Sequence, residues 1–421
     1  MAQKKRDLLD EIIDLQADWN ALSRKGDELV EQFTADPNDL PVFDPDDYLE
    51  RPRPNSTYCV SGAARDPQAC NLCMAACPVD AITLNGASLR VGDACIKCGL
   101  CAAVCPTEAF QIRKNAPMAL YDKVARVATV YEQCYLTCVH ALDRMPQVNE
   151  IVLPCVGAIP REVWFDLLCE YPNLSVYLPL GLCDECDVST GEELFSNAIA
   201  DAEEWSGESV GLEVDEADLG REQKRAYKRS QFVSGMTQAG TRLVTRGNPA
   251  LAGAQAVANK VRAHSNQITE LQKTLERAVG SQSSQSKRRM LTRKRRLVMA
   301  GLQKYPDLAE DMLLPFPQVD VQRCTMCGDC ARACTVHALE LDATGRVLLE
   351  PTYCVNCGAC AVACPESAIV MVTQNAEELV VPDEKAKERE RQRARTQKLR
   401  KTGKKTLERG LDLIEGLADD E

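Results

Sequence analysis

The chain has 421 residues, 45% of them hydrophobic and 5% aromatic, with a formal net charge of -12 at pH 7 and 22 cysteines. That length fits about three domains of roughly 150 residues each. The acidic balance excludes general nucleic-acid affinity, and no run of about 18 apolar residues offers a membrane span.

The first ten residues hold no apolar signal segment and no twin-arginine leader. A cytoplasmic location is the expectation, and reduced thiols there suit metal ligation better than a disulfide framework.

Residues 4 to about 33 predict an amphipathic helix, with Leu8, Ile12, Leu15, Trp19 and Leu22 at three- and four-residue spacing. Packing on its own protein is the expected role. Pro37, Pro41, Pro45, Pro52 and Pro54 then break regular structure, so residues 1–57 end in a Pro-rich linker or strap.

Residues 58–116 contain the run Cys95, Cys98, Cys101, Cys105-Pro106. This spacing places three thiolates on one 4Fe-4S cluster and sends the fourth to a second. Gly99 lets the backbone come near the sulfurs, and Pro106 ends the short helix between Cys101 and Cys105. Cys70, Cys73 and Cys77-Pro78 form a partial copy, whose first cysteine is Cys59 across a ten-residue insertion. By the crossing rule, Cys59, Cys70, Cys73 and Cys105 hold one cluster, and Cys95, Cys98, Cys101 and Cys77 hold the other. The alternative is a free Cys59 thiol beside an incomplete cluster.

Residues 316–375 repeat the arrangement, with Cys324, Cys327, Cys330 and Cys364 expected on one cluster and Cys354, Cys357, Cys360 and Cys334 on the other. Thr335 replaces the proline. All four copies continue into matching tails through Ala81, Ala109, Ala338 and Ala368, and His337 falls at the variable position also held by Asp80, Glu108 and Ser367. These runs resemble bacterial two-cluster ferredoxin domains over about residues 58–114 and 319–373. The resemblance implies two short helices and small antiparallel hairpins around the clusters, and single-electron transfer.

Between the modules, residues 117–205 predict strands at Val124 to Tyr131, Glu150 to Leu153 and Leu174 to Leu180. Helices are expected from Pro160 to Tyr171 and from Ser189, where Ser189 and Glu192 suggest a capping box. Alternating strands and helices imply a parallel sheet, whose post-strand loops share one edge. Cys134, Cys138, Cys155, Cys183 and Cys186 would gather there, whereas Cys169 lies on the apolar helix face with Val163, Leu167 and Leu168. A 2Fe-2S cluster, a tetrahedral zinc or a dithiol at Cys183 and Cys186 all fit that set.

The order Cys134 with Cys138, Cys155-Val156-Gly157, and Gly181-Leu182-Cys183 with Cys186 also resembles the iron-sulfur delta subunit of methanogen hydrogenases linked to heterodisulfide reductase. That resemblance covers about 90 residues and implies a 2Fe-2S relay centre.

Residues 206–315 lose cysteine and gain charge, predicting a helical linker with a stripe at Ile268, Leu271, Leu275 and Val279. Seven basic residues and no acid lie between Lys287 and Arg296, read as a solvated helix face or a patch for an acidic partner or nucleic acid. Residues 376–421 form a charged tail.

The expected whole is an α+β multidomain chain: two ferredoxin-like modules of two 4Fe-4S clusters flanking a small parallel α/β domain and a helical linker. No Gly-x-Gly-x-x-Gly, phosphate loop or Ser/His/Asp set appears. The expected function is therefore electron relay for partner oxidoreductases, as a subunit rather than the catalytic centre, with no small-molecule substrate evident. Reduction of a disulfide or sulfur substrate at the central cysteines is the first alternative, and an iron-sulfur nucleic-acid-binding protein the second.

Overall fold

The computed structural model describes residues 42–64, 69–220 and 289–380, with isolated helical positions at 263, 266, 269 and 270. The N-terminal helix, the Ile268 to Val279 stripe and the charged tail lie outside the described residues. Among the described residues no helix is long and apolar enough to cross a membrane.

In chain order, the first module comprises β1 (Arg53–Pro54), α1 (Val60–Ala64), α2 (Leu72–Ala75), β2 (Ile82–Asn85), β3 (Ser88–Val91), α3 (Leu100–Val104) and β4 (Phe110–Gln111). β2 and β3 form an antiparallel hairpin, and β1 pairs antiparallel with β4. The expected strap is thus stitched to the module. Its Glu50 carboxylate also accepts from the Arg113 and Lys114 N–H groups at 2.9 and 2.8 Å.

The middle domain follows: α4 (Pro117–Val130), β5 (Cys134–Cys138), β6 (Glu150–Leu153), α5 (Arg161–Glu170), β7 (Leu174–Tyr177), α6 (Gly191–Ser206) and β8 (Gly211–Glu213). Its four strands run parallel in the order β6-β5-β7-β8. Both faces are covered, which is why every residue of β5 is buried. Tyr135, Val152 and Tyr177 pack beneath Phe43, Tyr48 and Leu49 of the strap. On the other face Leu136, Ile151, Leu153 and Val176 meet the helices.

Four expectations need correction here. The strand expected from Val124 to Tyr131 lies almost wholly in α4: Leu120, Tyr121, Val124, Ala125 and Ala128 make its buried stripe at three- and four-residue spacing. The β-branched valines masked that period, and the strand begins later, at Cys134. No helix lies between β5 and β6; residues 139–149 make that parallel crossover, held by the Arg144 guanidinium donating twice to Glu150 at 2.8 Å. α6 starts at Gly191 rather than Ser189, and its N-cap Thr190 makes no capping bond of its own. Its hydroxyl donates instead to the Ala76 carbonyl of the first module at 2.8 Å.

The fourth correction concerns the presumed linker, because both of its described ends are structural. β8 extends the sheet, and Gly211 is needed there since a Cβ would sit 2.3 Å from Ser175 Oγ. Helix α7 (Arg293–Lys304) buries Leu297, Val298, Met299 and Leu302. The second module then adds α8 (Leu308–Asp311), β9 (Leu313–Val319), α9 (Asp329–Ala333), β10 (Leu339–Leu341), β11 (Val347–Leu349), α10 (Ala359–Val362) and β12 (Ile369–Asn375). β10 pairs with β11 and β9 with β12, both antiparallel.

One continuous apolar core joins the middle sheet and its helices to α7 and to Leu314, Phe316, Leu339 and Ile369 of the second module. Phe165 lies where α5 meets α7, so close that a Cβ on Gly301 would stand 2.7 Å from its ring. Phe165→Ala should destabilise by about 3–5 kcal/mol. Denaturant unfolding should show the middle domain and second module losing structure together; a second module that melts unchanged would refute the shared core.

Candidate metal centres

None of the 22 cysteines is in a disulfide, and burial and neighbouring thiols act on those of the ferredoxin runs together. Burial, then the neighbouring Cys105, Cys70 and Cys59, push the Cys73 thiol up to about 12. Burial followed by Cys98, Cys95, Cys73 and Cys77 pushes Cys101 up further. In the first module Cys59, Cys70 and Cys105 thus lie around Cys73, and Cys77, Cys95 and Cys98 around Cys101, which Cys73 also approaches.

In the second module Cys330 is raised by burial and then by Cys324, Cys327 and Cys364. Cys360 is raised by burial and then by Cys357, Cys354 and Cys334, to about 12. The last cysteine of each run thus crosses to the other group in both modules.

Cys59 is tied to Cys70 through the start of the short helix that follows it. Ser61 Oγ accepts from the Cys70 N–H at 2.8 Å and donates to the Cys70 carbonyl at 2.6 Å. The Gly62 N–H points at Cys59 Sγ at 3.4 Å.

Local backbone explains why these sequences make cradles. Lys97, Met326 and Asn356, the residue before the second cysteine of three runs, have φ of 63°, 59° and 57°. The glycines after those cysteines, Gly99, Gly328 and Gly358, are also left-handed, at 84°, 78° and 73°. Near-alternating left-handed residues turn successive N–H groups inward, toward an anion.

A second device recurs in all four copies. Asp80, Glu108, His337 and Ser367 are left-handed, with φ of 47–55°, and each turns the next N–H onto the last cysteine of its run. Ala81 donates to Cys77 Sγ at 3.3 Å, and Ala109, Ala338 and Ala368 donate to Cys105, Cys334 and Cys364 at 3.2 Å. His337 is thus a turn residue, and the alanines supply the functional N–H. The matching tails were the sequence's signal for this; the bond itself is invisible without the turn.

In the middle domain Cys138 ends β5, Cys155 lies two residues beyond β6, and Cys183 and Cys186 follow β7. These four line one cavity with His140, Val188 and Gly191. Burial comes first among the causes that push Cys155 up to about 12, with Cys138, Cys98 and Cys186 adding to it. Burial and then Glu192, Cys138 and Cys186 take Cys183 to about 11.

Cys134 does not join them. It begins β5, four residues from Cys138, so the strand rise of about 3.3 Å per residue holds the two roughly 13 Å apart along the sheet. Cys134 is fully buried in the core, and burial alone raises its thiol to about 12. Placing the first strand too early had put Cys134 in a loop. Cys169 lies apart on α5, against the apolar core, as expected.

Thiolates suit iron-sulfur clusters, and the inward N–H groups favour their charged form, so the residues of the ferredoxin runs fit that group. Among the described residues no three His, Cys, Asp or Glu side chains are drawn together tightly enough for a single ion. Gly191 is a tight point of the middle site: a Cβ would stand 2.8 Å from Cys155 Sγ. Were the middle cysteines to hold a metal, Gly191→Ala should reduce it while sparing the ferredoxin runs, measured as metal per full-length chain before and after mild chelation. Equal retention would show that Cys155 is not held there for ligation.

The groups adjoin one another. Val188, Ala76 and Leu100 form an apolar cluster that packs Cys98, Cys155 and Cys186 together. Val60, Ala69 and Ala359 pack Cys70 of the first module against Cys357 of the second. Cys327 is exposed, and in the same stretch Val321 and Met326 are 75% and 48% exposed.

The basic run is also corrected. In its described part, Lys294 and Arg295 are only 3% and 6% exposed, so these two belong to neither a solvated face nor a surface patch.

A family model of the 4Fe-4S dicluster domain matches residues 68–109 and residues 323–368, together about a fifth of the chain. These matches begin after Cys59 and omit the middle domain, so the resemblance to the hydrogenase delta subunit gains no support from them. No curated protein and no solved structure matches the chain.

Proposed function

We propose that this chain is an iron-sulfur electron-transfer protein whose five cysteine groups form one relay between partner oxidoreductases. The observation that carries this reading is adjacency: the middle group abuts Cys98, and Cys70 of the first module abuts Cys357 of the second.

In this reading Cys59, Cys70, Cys73 and Cys105 hold one 4Fe-4S cluster, and Cys77, Cys95, Cys98 and Cys101 a second. Cys324, Cys327, Cys330 and Cys364 hold a third, and Cys334, Cys354, Cys357 and Cys360 a fourth. Cys138, Cys155, Cys183 and Cys186 hold a 2Fe-2S centre, with zinc the competing occupant. Bound clusters supply one-electron transfer. The chain's own part is to keep the groups packed through apolar contacts, to aim N–H dipoles at the sulfurs, and to leave Cys327 accessible at one end.

Anaerobically purified protein tests this directly. Four 4Fe-4S clusters need about sixteen irons and a 2Fe-2S centre about two more, with matching sulfide and separate paramagnetic signals on reduction. About sixteen irons plus one zinc would make the middle centre structural and end the relay at Cys98. Failure to bind clusters under anaerobic reconstitution would end the reading altogether.

A further inference from the structure

The first turn of α7 contains Arg293, Lys294, Arg295 and Arg296 with no acidic residue. Cations at a helix N-terminus oppose the helix dipole. Two of them are buried as well, and a buried charge needs a partner. Lys294 Nζ donates to the carbonyls of Ala102 and Cys105 at 2.9 Å and to that of Ala103. Its own N–H donates to Glu108 Oε1 at 2.8 Å. Arg295 donates to the Cys354 carbonyl and to Asn356 Oδ1. The side-chain hydrogen bonds of both cations go to neutral oxygens, and the carboxylates beside them, Glu108 on the Lys294 N–H and Glu162 near Arg295, leave this four-cation turn with a net positive charge.

Their placement points to what balances it. Neighbouring helix residues face about 100° apart, so a single turn reaches both modules: Lys294 binds at Cys105, and Arg295 at Cys354. Those cysteines belong to the two groups that meet where Cys70 packs near Cys357. Four thiolates around a 4Fe-4S cluster leave it net negative, and reduction adds one further negative charge. Two anionic groups meeting in an apolar seam need buried cations, and α7 supplies one to each.

We propose that Lys294 and Arg295 are positioning residues: paired counter-ions that bias the two cluster sites at the seam between the modules toward reduction, relative to the two outer sites. This rests on the electron-transfer reading. It makes the seam the place where an electron preferentially rests, with the Cys98 and Cys327 sites as its two exits.

The test is a redox titration of the full-length, cluster-loaded chain followed by paramagnetic resonance. Lys294→Met should lower the midpoint of one first-module component and Arg295→Met that of one second-module component. Each shift should be at least about tenfold in the one-electron equilibrium, which is about 59 mV. Lys294→Arg and Arg295→Lys should restore the midpoints. Full iron content with all four midpoints unmoved would overturn the proposal. The unaltered chain gives an independent check if the methionine variants fail to load. The first two components to be reduced should be those perturbed by Cys70→Ser and Cys357→Ser, and the later two those perturbed by Cys98→Ser and Cys327→Ser. The reverse order would also overturn it. A chain that never binds clusters sinks the electron-transfer reading itself, a result distinct from either.

Discussion

Cys59→Ser is expected to remove about four of the roughly sixteen irons carried by the ferredoxin runs, or to leave a three-iron species in that site. The spacing of the first run argues weakly for Cys59, since ten residues stand where the other copies have two. The fold argues strongly. Ser61, on α1, bonds both the N–H and the carbonyl of Cys70, and the Gly62 N–H turns toward Cys59 Sγ. Burial and the neighbouring Cys105 and Cys59 raise the Cys70 thiol despite a backbone N–H that lowers it, so Cys59 stands within electrostatic reach. The consequence extends beyond one cluster, because this group faces Cys357. Losing it should leave the second module reducible only from its own exposed side, so electrons entering near Cys98 should no longer reach Cys327. Iron and sulfide analysis with component-resolved titration checks both parts. Unchanged iron content would make Cys59 a free thiol and the first module incomplete.

Cys155→Ser and Cys134→Ser should part company completely, although both were candidates for the same centre. The Cys155 change should abolish the middle centre and its spectrum while the ferredoxin clusters persist. Cys134→Ser should leave that centre intact and act on stability, since an unpartnered hydroxyl in this apolar core costs about 1–3 kcal/mol. The full-length chain is the proper material, because the middle sheet shares its core with α7 and the second module. If Cys134→Ser removed the metal, the arrangement of Cys138, Cys155, Cys183 and Cys186 described above would be wrong. If neither change altered metal content, the middle cysteines would be a dithiol system rather than a centre.

Much of the site was legible because cluster ligation is local. Three cysteines within seven residues can wrap only a small group, and the fourth must serve another, so two runs imply two clusters whatever surrounds them. The pairing of four runs into two modules, the crossing of the last cysteine and the parallel middle sheet with cysteines at its carboxyl edge all followed from spacing and alternation. The failures had equally physical causes. In α4 the period of four was hidden by β-branched residues, which strands also favour. β5 is buried on both faces, so it shows no alternation to mark its start, and one misplaced strand was enough to move Cys134 from core to loop.

The basic turn of α7 marks the deeper limit. A run of cations reads as solvent-exposed because burying charge is unfavourable on its own account, and nothing nearby in sequence offers a counter-charge. The carbonyls that hold these two cations lie 189 residues before Lys294, at Cys105, and 59 residues after Arg295, at Cys354. Sequence by itself determined the four ferredoxin runs and their pairing into two modules, because covalent spacing limits which sulfurs can share a cluster. Only the tertiary structure decided which groups adjoin, where Cys134 belongs and why Lys294 and Arg295 are buried, because contacts across such separations depend on how separate elements pack, and spacing along the chain does not encode that.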